Sequence, residues 1–283
     1  MAKVPDGIDA RELTIAARRV LLDGLVALSD QLDALTVVGA QAVHLRTPDT
    51  TLHGATFTSD GDISIDPELL GDRPRLDEAL QGAGFELLRR HEPGLWARAA
   101  RIGDKTVPIE FDLLMGKTLA PAIGRRSAKV PPHDVMSARW VPGLEVAAVD
   151  RSPMRVPSLE AGDHRSVMVN VAGPAALLVA KAFKINDRVE QAEKRPDRLT
   201  DKDAGDVLRI MRSVPAREVA ESFALLRKDP RVGAITSQGA ELLHRLFGAR
   251  RTVGVDMAVQ ALRGDMPEDR VRALAPAYVS RLR

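Results

Sequence analysis

There is no cysteine in the 283 residues, so disulfides, thiolate metal sites and cysteine nucleophiles are excluded at once. Aromatic residues make up only 3% of the chain, too few for holding single-stranded nucleic acid on successive stacked rings. No run approaches the roughly 18 apolar residues of a membrane span, and the start, Met-Ala-Lys-Val-Pro-Asp-Gly, lacks the apolar stretch of a signal peptide. The expectation is a cytoplasmic protein with no membrane partner. No G-x-S-x-G frames a serine nucleophile, and six histidines are too scattered for a zinc site.

What is present is ordinary in amount but uneven in distribution. A hydrophobic fraction of 45% and a charged fraction of 28% suit a globular protein, and the length suggests two domains. Residues 1–171 carry 20 basic and 24 acidic side chains; residues 172–283 carry 21 and 15. The formal net charge of +2 therefore divides into −4 and +6, an acidic first part and a basic second part suited to a polyanionic partner.

Periodicity predicts an amphipathic helix over 9–28, a strand over 35–38 and a helical segment over 40–45 behind Gly39. A polar loop over 47–54 leads to a strand beginning near residue 60. Residues 74–81 read as a helix ended by Gly82-Ala83-Gly84. Strands are expected over 85–90, 95–102 and 106–114, with a hairpin turn at Gly103-Asp104-Lys105 between the last two. Residues 116–132 look irregular and basic, with Arg125, Arg126 and Lys129 as candidate RNA-phosphate contacts. Further strands are expected over 144–149, 154–156 and 167–171. After Gly173-Pro174 the pattern turns helical, over 175–189, 201–212, 217–227, 237–247, 255–263 and 267–282. No internal repeat or low-complexity tract interrupts it. The fold class is therefore an α/β (α+β) domain with a short mixed sheet over 1–171, followed by an α-helical domain over 172–283.

The chemistry concentrates at Thr58-Ser59-Asp60-Gly61-Asp62. Side chains alternate on an extended chain, so Asp60 and Asp62 project to one face. Two such like charges are most easily kept around a divalent cation. A third carboxylate is available from Ile109-Glu110-Phe111-Asp112-Leu113, where Glu110 and Asp112 share the face opposite the apolar residues. Asp112 lies nearer the strand's C-terminal end and is preferred, as metal ligand or general base, with Glu110 in reserve. In the helical part, Lys181, Lys184 and Arg188 stand at i, i+3 and i+7, one helical face, a pattern suited to phosphate. Thr200 and the acidic turn around Asp201 and Asp203 are accounted for by helix capping alone.

The order of these motifs resembles the AbiEii/MenT family of nucleotidyltransferase-like toxins from bacterial toxin–antitoxin systems. The resemblance rests on G-A-x-A at residues 39–42, T-x-D-x-D at 58–62, the strand ending in Asp112, Lys181 with Arg188, and K-D-x-x-D at 202–206, and covers about residues 35 to 210. Thr56 departs from it, standing where relatives carry an arginine, and Arg46 is the nearest substitute. The resemblance implies an NTP-dependent nucleotidyltransferase using Mg2+ (or Mn2+), with Asp60 and Asp62 as the metal pair, Lys181 as a phosphate contact and Asp203 as an essential acid. Gly39, Thr58, Lys184 and Arg188 would complete the nucleotide site. The acceptor implied is RNA, the tRNA 3′ end, and a cognate antitoxin is the implied partner. A transferase for a small hydroxylated molecule such as an antibiotic, and a non-catalytic nucleotide-binding module, are the other classes these residues allow.

Overall fold

The structure is a computed structural model that describes residues 7–48, 57–120 and 126–282, with the backbone of 122–123. Thr56, most of the 47–54 loop and the side chain of Arg125 lie outside the described residues. The described residues divide into two compact units, one of residues 7–42 and 57–172, the other of 43–48 and 173–282. The first is mixed α/β and the second is helical.

The first unit opens with α1 (Ala10–Ala27), capped by Asp9, whose carboxylate accepts from the amides of Arg11 and Glu12. A 3-10 turn leads into β1 (Leu35–Val38), buried along its length, and Gly39 begins α2 (Gly39–Arg46). β2 (Asp60–Ile65), α3 (Leu76–Gly82), β3 (Glu86–Leu87), β4 (Leu95–Ile102) and β5 (Lys105–Gly116) follow. β6 (Ala122–Ile123), β7 (Ser127–Ala128), β8 (Arg139–Val141), β9 (Arg151–Pro157) and β10 (Ser166–Ala172) complete one mixed sheet. Its main path runs β6-β7-β8-β5-β2-β1-β10-β9, with β4 on β5 and β3 on β4. At ten strands it is larger than the short sheet expected.

β5 organises this sheet. β2 runs parallel to it along Glu110 to Leu114, while β4 runs antiparallel along Lys105 to Asp112. Residues 110–112 pair with both, so β2 and β4 hold opposite edges. Beyond Asp112 the β4 edge passes to β8, parallel, with Leu114 opposite Arg139. Gly94 makes that handover. Its φ is +70°, and an added Cβ would lie 2.4 Å from the Leu113 carbonyl and 2.6 Å from the Arg139 amide. Only glycine permits this approach.

α1 covers the apolar face of β2 and β5. A Cβ on Gly24 would meet the Phe111 ring at 2.5 Å, and one on Gly61 would sit 3.2 Å from Leu21. Phe111, Phe85, Trp96, Leu21 and Ile63 are fully enclosed there. With one face sealed, the alternation of β2 and β5 sends their polar residues to the other.

The expected strands over 85–90 and 144–149 differ. Only Glu86 and Leu87 pair with β4. Glu145–Ala148 is a buried 3-10 turn because the Glu145 carboxylate accepts from the Thr118 amide at 3.1 Å and lies against Gly116, pinning the segment into a coil. The 116–132 segment, expected irregular, supplies β6 and β7.

The second unit consists of the end of α2 with α4 (Pro174–Glu190), α5 (Lys202–Ser213), α6 (Ala216–Leu226), α7 (Gly233–Phe247), α8 (Val253–Ala261) and α9 (Glu268–Val279). Pro174 occupies the first turn of α4, where its missing N–H is not needed. α4 packs closely on α7, since a Cβ on Gly239 would come 2.7 Å from Val179. Phe223 and Phe247 are fully buried in this unit, as are Leu177, Leu178, Leu208 and Leu243. Among the described residues, no helix is long and apolar enough to cross a membrane.

Candidate active site

Strand register places four carboxylates on one face of the β2–β5 pair. Asp60 lies opposite Glu110 and Asp62 opposite Asp112, and residues two apart on each strand share that face. Their charges act on one another. Burial raises the Asp112 pKa well above the ordinary carboxylate range; Arg139 opposes this, and Asp62, Asp60 and Glu110 reinforce it. Glu110 is raised by burial first and by Asp60 next, with Arg139 and Arg89 opposing.

Each acid has its own support. Thr58, fully buried, donates its hydroxyl to Asp60 Oδ1 at 2.8 Å, so its role here is to orient that carboxylate. Gln41 donates to the Asp60 carbonyl at 3.3 Å and is itself held by the buried Arg18, whose Nε donates to it at 2.9 Å. Gly39 has φ +66°, and a Cβ there would fall 1.9 Å from Asp62 Oδ2. The turn between β1 and α2 thus passes directly against the Asp62 carboxylate, which is why the residue must be glycine. Asp112 Oδ2 accepts a hydrogen bond from the Arg139 guanidinium. Its other oxygen, Oδ1, is buried with no hydrogen-bond partner.

Among the described residues, no three carboxylate or histidine side chains converge closely enough to hold a metal ion. Arg139 on Asp112 and Thr58 on Asp60 draw two of the acids to partners of their own. In kind, the donor set still fits a hard divalent cation: all its atoms are carboxylate oxygens, and among the described residues Asp112 Oδ1 is an orphaned acceptor.

A second charged cluster lies within the helical unit. Lys181 is only 4% exposed, and its ammonium sits 2.6 Å from both Asp203 Oδ1 and Asp206 Oδ2. Asp203 also accepts from Arg188 at 2.5 Å and lies 3.3 Å from the Lys184 ammonium. Burial alone would lower the Lys181 pKa, but Asp203 and Asp206 hold it above its ordinary value. Burial would likewise raise Asp203, yet Lys181, Lys184 and Arg188 hold it far below the usual carboxylate range. Arg188 also donates to Thr200 at 3.1 Å. Lys181 is thus enclosed by two carboxylates, while Lys184, with 47% of its side chain exposed, is the cation of the three most open to solvent.

Arg139, Asp206 and Arg209 were not singled out from the sequence as site residues. Arg209, buried on α5, donates from Nε to Thr47 Oγ1 at 2.8 Å. Asp206 was legible: it follows Asp203 by three residues, one helical face. Arg139 was not, because it sits on a three-residue strand with no motif around it.

No protein-family model, curated protein or solved structure matches this chain.

Proposed function

We propose that the chain is a divalent-metal-dependent nucleotidyltransferase toxin that moves a nucleoside monophosphate from an NTP onto an RNA acceptor, the tRNA 3′ end, and so blocks translation. One observation carries this reading: four carboxylates in register on one sheet face, set against a glycine turn, with Asp62, Asp60 and Glu110 all raising the pKa of Asp112. A purely structural sheet face has no reason to keep four acids together. The motif resemblance supplies the reaction class, the acceptor and the antitoxin partner.

Asp60 and Asp62, with Asp112, are the residues that would hold Mg2+ or Mn2+. Bound there, the ion would supply Lewis acidity to the α-phosphate and a charge to balance departing pyrophosphate. The chain's own groups do the remainder. Thr58 fixes the Asp60 carboxylate, and Gln41 and Arg18 fix the strand end that carries it. Gly39 leaves room for the Asp62 carboxylate. In the reaction the acceptor hydroxyl oxygen forms a bond to the α-phosphorus as the bond to the β-phosphate oxygen breaks and pyrophosphate leaves. Glu110, on the same face and with a pKa raised by burial and by Asp60, would take the hydroxyl proton. In the helical unit, Asp203 acts as the organiser of three cations, with Lys184 and Arg188 retaining exposed surface for a polyanion.

The direct test incubates purified protein with each α-32P-labelled NTP and total RNA. Label should enter RNA, and Asp60→Ala should reduce transfer by roughly 10³-fold or more. Undiminished transfer by Asp60→Ala sinks the reading, whereas label on a small acceptor instead of RNA redirects it. Induced expression should arrest growth.

A further inference from the structure

The carboxylate face contains one cation that the proposed chemistry has not used. Arg139 leads β8, its Cα in register with Leu114, and its side chain reaches back along β5 to Asp112. Its backbone is braced on both sides. The Trp140 amide donates to the Arg126 carbonyl at 2.8 Å, the Ala128 amide donates to the Ala138 carbonyl at 3.1 Å, and Gly94 presses against the Arg139 amide. Arg126 holds φ +72°, a conformation few non-glycine residues adopt, in making its part of that brace.

The brace delivers a guanidinium that is poorly used where it lies. Among the described residues its one hydrogen bond runs to Asp112 Oδ2; the fork that could span both oxygens does not, and Oδ1 stays buried without a partner. A guanidinium has five donors in a plane, and this one keeps 22% of its side chain exposed. An arginine built only to neutralise Asp112 would satisfy both oxygens. One that touches a single oxygen and retains a solvent-facing edge is suited to a second, planar, oxygen-rich anion.

We propose that Arg139 is a phosphate-binding residue of the nucleotide site, resting on Asp112 in the free protein and engaging the triphosphate when a divalent cation takes over the carboxylates. The inference rests on the nucleotidyltransferase reading and adds to it a residue outside the motifs. Charge balance is the driving force. Without a cation, Asp112 needs the guanidinium; with a divalent ion on the same face, the guanidinium is released toward the next nearest negative charge. Two properties should therefore separate in a variant: affinity for the ion, which Arg139 opposes by competing for Asp112, and affinity for the triphosphate, which it supports.

The experiment measures binding without turnover. Mn2+ binding alone is followed by electron paramagnetic resonance, and binding of the four α,β-methylene NTP analogues with Mn2+ by equilibrium dialysis. Wild type, Arg139→Ala and Arg139→Lys are compared, with Arg89→Ala as control and near-ultraviolet circular dichroism to verify folding. Arg139→Ala should bind Mn2+ as tightly as wild type or more tightly, yet bind the preferred analogue roughly 10- to 100-fold more weakly. Arg139→Lys should fall between, keeping the charge but losing the fork. If Arg139→Ala does not fold, the Lys variant decides by the same signs. Analogue affinity unchanged in a folded variant overturns the proposal while leaving the transferase reading intact. Parallel weakening of Mn2+ and analogue also overturns it, since that marks a merely supporting role. Wild type that binds none of the four analogues overturns both.

Discussion

The molecule contains two carboxylate clusters built on opposite electrostatic terms. On the β2–β5 face four acids stand in register, and Glu110 and Asp112 are pushed toward protonation, by burial first and by neighbouring carboxylates, against the opposing charge of Arg139. In the helical unit, Asp203 is surrounded by Lys181, Lys184 and Arg188 and is held firmly ionised. The first sets like charges side by side and gains from an added cation; the second is closed by its own ion pairs, with Lys184 and Arg188 keeping exposed edges. Repulsion kept in a folded protein marks a place where something binds, whereas buried carboxylates met by ammonium and guanidinium groups hold the chain to itself.

The largest expected effect follows from breaking the closed cluster. Lys181→Met leaves Asp203 and Asp206 buried with their shared ammonium gone, and should lower stability by about 3–5 kcal/mol in urea unfolding. Lys181→Met combined with Asp203→Asn and Asp206→Asn should recover much of that loss, since neutral groups carry no such penalty. The open cluster should answer the other way. Glu110→Gln removes one of four like charges, at a group whose pKa is raised by burial and by Asp60, so stability should stay within about 0.5 kcal/mol of wild type or rise, while NMP transfer falls by roughly 10²- to 10⁴-fold. A large loss of stability in Glu110→Gln would erase the distinction between the clusters.

Much of this contrast could be read before any coordinates, and the unread part has physical causes. The two-residue alternation of Asp60/Asp62 and Glu110/Asp112 is intrinsic to an extended chain, so both pairs could be assigned to one face each from local sequence. That the two strands lie side by side in register depends on long-range pairing, which sequence spacing does not encode. Lys181, Lys184 and Arg188 were legible as one helical stripe, but their convergence on Asp203 requires α4 and α5 to pack together. Phosphate contact was expected of Lys181; the buried position between two acids reflects that packing. Arg139 was invisible because its place is set by Gly94 and by the handover from β4 to β8, neither of which leaves a periodic trace. The 144–149 segment misled because its apolar pattern serves a buried coil as well as a strand, and Glu145 decides between them by bonding Thr118.

An intermediate effect is expected where backbone and charge meet. Gly39→Ala must adopt φ +66° and place a methyl carbon against Asp62 Oδ2, which should destabilise by about 1–3 kcal/mol. Because the clash displaces a proposed metal ligand, Mn2+ affinity should fall as well. Loss of stability with unaltered Mn2+ affinity would separate the turn from the carboxylate site.

The smallest effect is a matter of sign, and acid titration supplies it. With chelator present, Asp112 and Glu110 have native pKa values above their ordinary ones. The folded state therefore takes up their protons before the unfolded chain does, and their contribution to stability rises as pH falls through the native values toward about 4. Asp203 is shifted the other way, so its contribution is intact above its ordinary value near 4 and is lost only below it. His133, buried and accepting from the Leu76 amide at 3.2 Å, has a lowered pKa and loses stability as pH drops through about 6.5. Asp112→Asn removes one group from this sum, together with its share of the repulsion on that face, while Asp203 and His133 titrate alike in both proteins. The variant should be at least as stable as wild type at pH 7, and the gap should narrow as pH is lowered and wild-type Asp112 becomes protonated above the ordinary carboxylate range. Each unit by which the native pKa is raised is worth about 1.4 kcal/mol of that narrowing. A gap that stays constant or widens as pH is lowered would mean that Arg139 neutralises Asp112 fully, and the carboxylate face would then be as closed as the cluster around Lys181.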